Sequence, residues 1–240
     1  MTLWIIMPLP KLAIPEYECT LPVTGLKVKY RPFLVKEEKL LYLAMESQQE
    51  KEMVNAVKTI IKNCTDLKKN LDKLPTFEIE YIFLRIRAKA VGEISEFVVT
   101  CPDDNKTTVD VKLPLQNIEV TIPENHTTHI DLDGKIKMEM KYPSMDFFID
   151  SNMKDEPSIE DMFKLSAQCI DKIYDDEEIY DSFTLKEAQD FIEGLNSEQF
   201  QKVQQFFDTI PKLRHDLKVT NPKTNVESTI PLEGLAAFFG

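Results

Sequence analysis

His126-Thr127-Thr128-His129, followed by Asp131 and Asp133, is the stretch of this chain whose residue types come nearest to a metal site. On a β-strand alternate side chains share a face, so His129, Asp131 and Asp133 would line one side, and imidazole with carboxylate suits a divalent transition metal. The same pattern arises on a polar outer sheet face, and its spacing is loose. No metal ligand is therefore assigned, and a metal-dependent enzyme built on residues 126–133 stands as an alternative reading. Asp175-Asp176-Glu177-Glu178 could attract calcium, but it lacks the alternating ligands and the glycine of an EF-hand loop. His215 has no serine and acid at a recognisable spacing. Cys19, Cys64, Cys101 and Cys169 are scattered with no C-x-x-C pair, which reads as reduced thiols in a cytoplasmic folding compartment. No nucleophile elbow, P-loop, kinase signature or H-E-x-x-H helix occurs, and six glycines leave little material for a phosphate cradle. In so acidic a chain two carboxylates can always be found, so a glycosidase-like pair has no discriminating force. The expectation is a non-enzyme, with no catalytic residue and no cofactor.

The elements that would have to position any site read as an α+β fold: short antiparallel hairpins or a sheet packed with helices, plus an acidic all-helical insert. Residues 17–33 alternate around Pro22-Val23-Thr24-Gly25, a hairpin pattern. Two helices follow, over Lys36–Ser47 (Leu40, Leu41, Leu43, Ala44, Met45) and Glu50–Cys64, where Met53, Val57, Ile60, Ile61 and Cys64 fall on one face. Thr76 reads as the N-cap of a third helix. Acids occupy its first turn, bases its last turns, and Gly92 closes it. From Ile94 to Tyr142 the period becomes two, and five short strands of an antiparallel sheet are expected, at 97–99, 109–111, 118–120, 129–132 and 136–140. Helices return at Ser158 and Thr184, each opening a capping-box pattern, and near Ser197. The first of these carries Met162, Leu165, Cys169 and Ile173. The expected organisation is an α+β core over 1–145, an acidic helical subdomain over 146–211, and a C-terminal hairpin with an apolar tail over 212–240.

Charge separates along the chain. The 240 residues hold 41 acidic and 29 basic side chains, a net charge of −12, which disfavours nucleic acid and anionic membrane surfaces as partners. Residues 146–208 hold 17 acidic and 5 basic residues and so carry the whole excess, either as a solvated face or as a docking surface for a basic partner. The opening Met1–Met7 is apolar but is cut by Pro8 and Pro10. It has no basic start, and no later stretch approaches the ~20 apolar residues of a membrane span.

One turn pattern occurs three times: Leu21-Pro22-Val23-Thr24-Gly25, Cys101-Pro102-Asp103-Asp104-Asn105 and Asn221-Pro222-Lys223-Thr224-Asn225. Proline presets φ, Thr or Asp bonds the local backbone, and Gly or Asn tolerates the left-handed closing position. The second and third copies agree further, since Val99-Thr100 and Val219-Thr220 precede them. Shared hairpin chemistry and duplication account for this equally well. Cys101 alone cannot hold zinc there.

Pro8-Leu9-Pro10-Lys11-Leu12, Lys29-Tyr30-Arg31-Pro32-Phe33-Leu34-Val35-Lys36-Glu37-Glu38-Lys39, Phe77–Leu84 through Glu93, and Asn221–Asn225 through Leu235 together resemble the baseplate hub subunit and hub-assembly family of T-even-like contractile-tailed phages. That resemblance implies a structural or assembly role in a tail baseplate hub, other hub or tail proteins as hetero-oligomeric partners, and a place in the virion after assembly in the host cytoplasm. A non-virion assembly factor is the alternative within the same family. The resemblance also implies that residues 1–6 precede the family's usual start. Some members carry paired cysteines at the hairpin turns, and this chain departs from that pattern. Candidate contact residues are Arg31, Phe33 and Lys36 after the first hairpin, and Leu235, Phe238 and Phe239 in the tail, because phenylalanine favours interface centres.

Overall fold

The computed structural model describes residues 12–68, 70–145 and 158–234. Strands β1 (Tyr17–Thr20) and β2 (Lys27–Tyr30) form the first hairpin, with Tyr17 opposite Tyr30. Helices α1 (Val35–Ser47) and α2 (Glu50–Cys64) follow, and α2 buries Val57, Ile60, Ile61 and Cys64 at helical spacing. Helix α3 (Thr76–Val91) is apolar almost all round, burying Phe77, Ile79, Ile82, Phe83, Leu84 and Ile86, and is the centre of the larger core. Its N-cap is Pro75, not Thr76 as expected. Proline loses nothing at a helix entry, where its missing N–H has no partner to lose. The Thr76 hydroxyl is thereby free to donate to the Pro143 carbonyl at 3.2 Å.

The period-two region gives β3 (Ile94–Thr100), β4 (Thr108–Pro114), β5 (Glu119–Thr121), β6 (His129–Asp131) and β7 (Lys137–Met140). Beyond it lie α4 (Ile159–Gln168), β8 (Ile170–Tyr174), β9 (Ile179–Tyr180), α5 (Leu185–Glu193), α6 (Ser197–Asp208), β10 (Lys212–Thr220) and β11 (Glu227–Glu233). The α+β class is therefore observed, but the strands do not share one sheet. They divide into antiparallel sheets ordered β1-β2, β3-β4, β11-β10-β5 and β6-β7-β8-β9. Alternation along a strand marks which face is buried and carries no label for the partner, so β5 pairs with β10 some ninety residues later.

The expected all-helical character of residues 146–211 is corrected. Helix α4 stops at Gln168, and Ile170-Asp171-Lys172-Ile173-Tyr174 becomes β8, with Ile173 opposite Met138 on β7. Ile173 sits at helical spacing from Cys169, yet a β-branched and aromatic run beside an open strand edge pairs with it, and tertiary context overrides the period. The second apolar cluster accordingly begins before residue 146. It joins Ile130, Leu132, Met138 and Met140 to Ala167, Ile170, Ala188, Ile192, Val203 and Phe206. Tyr142 and Ile210 pack against both clusters. Among the described residues, no helix is long and apolar enough to cross a membrane.

Candidate interaction surfaces

The side chains of the 126–133 stretch are each occupied separately. His126 points inward, with Nδ1 2.9 Å from Thr209 Oγ1 and Nε2 2.9 Å from the Tyr142 hydroxyl. Thr209 gives its one proton to the Gln205 carbonyl at 2.7 Å, so it accepts from Nδ1–H, and Nε2 accepts from Tyr142. Burial pulls the His126 pKa below the ordinary histidine value. His129 is exposed and lies 3.8 Å from Glu139, whereas Asp131 and Asp133 accept backbone N–H groups of the following turn, at Gly134 and at Lys135 and Ile136. The strand ends at Asp131, so Asp133 falls in the turn, and the two carboxylates are spent on closing it while His129 stands apart. Among the described residues, no three His, Cys, Asp or Glu side chains gather as a metal-binding group. A shallow cleft beside His129 is lined by Asn125, Lys202 and Gln205, and the Lys202 ammonium already donates to the carbonyls of Asp131 and Leu132. The four thiols are unbridged; burial raises Cys19 and Cys64 to about 11 and Cys169 to about 12, which leaves them protonated and inert at neutral pH.

Of the candidate contact residues, Arg31 is turned to the interior. Its guanidinium donates to the carbonyls of Pro32 and Asn63 at 2.9 and 3.0 Å and to Glu37 at 3.1 Å. Glu37 is buried, which works against its charge. The bonds from Arg31, the Leu34 N–H and Lys36 outweigh burial and hold its pKa below the usual value. Phe33 is a core side chain, and Lys36 is exposed, 3.3 Å from Glu37. The structure brings these three to one corner, where Glu37 fastens the start of α1. Leu235, Phe238 and Phe239, like residues 1–6, lie outside the described residues.

What the sequence did not foretell is the outer face of α1. Glu37 and Ala44, two turns apart, are its buried residues and face α2. On the opposite side Val35 is 80% exposed and Tyr42 58%, beside the exposed Lys39 and Glu46, with Met45 61% and Leu43 51% exposed on the two flanks. Apolar residues are spread around most of the helix, and among the described elements α2 is its main neighbour, so part of its apolar surface stays in water. The signal was present in the spread of Leu40, Leu41, Leu43 and Met45 round the helix, which no single buried stripe could absorb.

The three repeated turns share a backbone. In each, the fifth residue donates to the carbonyl of the first (Gly25 to Leu21, Asn105 to Cys101, Asn225 to Asn221) and has positive φ, at 66°, 51° and 58°. The first and third agree most closely, closing at residues 21–26 and 221–226, whereas the second runs to Thr107. Two acids fasten them, Glu78 buried and Asp103 exposed. Glu78 accepts from the N–H groups of Val23 and Thr24 at 2.9 and 2.8 Å and from the Thr24 hydroxyl. Asp103 of the second turn accepts from the Thr224 hydroxyl at 2.6 Å and the Asn221 amide at 3.0 Å, so the tips of hairpins β3-β4 and β10-β11 are clasped together. These bonds lower the Asp103 pKa. Where paired thiols would be needed for zinc, hydrogen bonds hold the tips.

Compared with known families, residues 14–240 match the family described as T4 bacteriophage base plate protein. The comparison with curated proteins and that with solved structures found no match.

Proposed function

The chain belongs to the T4 bacteriophage base plate protein family, and on that premise we propose that it is a structural or assembly component of the baseplate hub, acting by protein–protein contact and not by chemistry. The observation that carries this reading is the exposed apolar face of α1, where Val35, Tyr42 and Met45 stand in water on a well-anchored helix. Burying one such side chain contributes roughly 1.5–3 kcal/mol, so the face is a strong candidate for the centre of an interface. Lys36 and Lys39 flank it as a polar rim. Arg31 and Phe33 act from beneath, fixing where α1 starts, and Leu235, Phe238 and Phe239 are proposed as a second anchor. The partners are other hub or tail proteins in a hetero-oligomer, assembled in the host cytoplasm and carried into the virion.

A Tyr42→Lys/Met45→Glu variant tests this in infected cells. The account expects it to fold normally by circular dichroism, while its amount in purified baseplates, measured by mass spectrometry, falls by at least about tenfold. Incorporation at the unaltered level would refute the assignment of α1. If the unaltered chain is absent from finished particles but the variant still blocks baseplate formation, the chain is an assembly factor.

A further inference from the structure

We propose that the free edge of β9 is a docking site for an extended, lysine- or arginine-rich segment of another protein, which adds to the sheet as a fifth strand; this stands independently of the hub assignment. β9 is the last strand in the order β6-β7-β8-β9 and pairs only with β8, through Ile179 opposite Tyr174 and Tyr180 opposite Ile173. Among the described residues, no other hydrogen bond engages the backbone of residues 179–183, so the outer row of N–H and C=O groups is open. The edge is nevertheless fixed in place. Asp175 accepts from the N–H groups of Glu177 and Glu178 at 2.9 and 2.7 Å and from the Tyr180 hydroxyl at 2.9 Å, which ties the β8–β9 turn to the strand. Ile179 and Tyr180 are 63% and 44% exposed, so a strand laid alongside would find apolar contacts on both faces of the sheet.

Charge selects the occupant. Asp176, Glu177, Glu178 and Asp181 are exposed around this edge, and among the described residues none has a lysine or arginine within 4.0 Å. A second copy of this chain would set the same acids opposite one another, and like charges across a strand pair are destabilising. The longer parts of the chain outside the described residues are no better suited: residues 1–11 hold a single lysine beside two prolines, 146–157 are acidic and 235–240 carry no charged side chain. A strand with basic side chains satisfies both the open backbone and the unpaired carboxylates.

The test uses the full chain and, as probe, a fluorescein-labelled peptide of alternating lysine and valine. Saturable binding is expected, with amide shifts confined to residues 179–183. Methylating alternate peptide nitrogens on the probe should weaken binding by at least about tenfold, because the strand can no longer pair. Ile179→Lys should weaken it comparably, and a variant carrying Asp176→Asn, Glu177→Gln, Glu178→Gln and Asp181→Asn should weaken it and flatten its salt dependence, with circular dichroism unchanged in both. Equal binding of the methylated peptide would mean adsorption to the acidic surface and would overturn the proposal. So would shifts centred elsewhere, or dimerisation of the chain through β9.

Discussion

Glu78 lies fully buried at the first turn of α3, and its carboxylate is satisfied by backbone and hydroxyl donors of a turn 54 residues earlier. A carboxylate in that position is costly unless paired, and helix α3 favours it because the N-terminal end of a helix attracts negative charge. His126 shows the same economy with the opposite group. It is held neutral between Tyr142 and Thr209, stacked on Tyr142 and tilted against Phe206, with Glu78 the charged group that acts on Tyr142. Protonation would place a second donor at Nε2, against a hydroxyl that already donates there. Because burial lowers the folded pKa below 6.5, the unfolded chain binds this proton first, and stability contributed by His126 is present above that value and lost as pH falls beneath it. Chemical denaturation at pH 7.5 and 5.5 should therefore show the unaltered chain losing more stability than His126→Gln, by less than about 1.4 kcal/mol per pH unit. An identical loss in both would show that His126 does not titrate on unfolding.

At the scale of elements, Arg85 shows how a helix charge can place a strand. Read along the sequence it offsets the α3 macrodipole; in the fold its guanidinium donates to the carbonyls of Gln116 and Ile118, each at 2.9 Å, and pairs with Glu119, delivering β5 to β10. The Asp103 clasp is the other long-range device. Asp103→Ala and Thr224→Val should each lower stability measurably. Their double variant should cost measurably less than the sum in equilibrium denaturation, and strict additivity would show the tips to be independent. Hairpins, helices and the boxes at Ser158 and Thr184 were legible because they depend on residues within four positions. The third box, Asn196 with Gln199, obeys the same chemistry in amide form. Strand partners, the helix-to-strand change at Cys169 and the two fastening acids were not legible, since each depends on what arrives from 30 or more residues away.

On the whole-molecule scale, two apolar clusters meet through Phe77, Tyr142, His126 and Phe206, whose rings pack successively at 5.1–5.9 Å. The acidic excess is carried on the outside of the second cluster, where the described carboxylates of residues 158–208 other than Asp161 and Asp171 are exposed. The first cluster presents the bare face of α1, and these two surfaces differ as binding chemistry differs, one apolar and one charged. The sequence resemblance already pointed to contact surfaces; of its candidates Arg31 and Phe33 turn inward, Lys36 is exposed and the three tail residues lie outside the described residues, whereas Val35, Tyr42 and Met45 were not named because exposure depends on how the other elements cover α1. Amide hydrogen exchange, comparing the free chain with the chain in purified baseplates, tests the central claim most directly. The account predicts that amides of residues 35–47 exchange markedly more slowly in the baseplate; unchanged exchange across α1, with protection gained elsewhere, would contradict it.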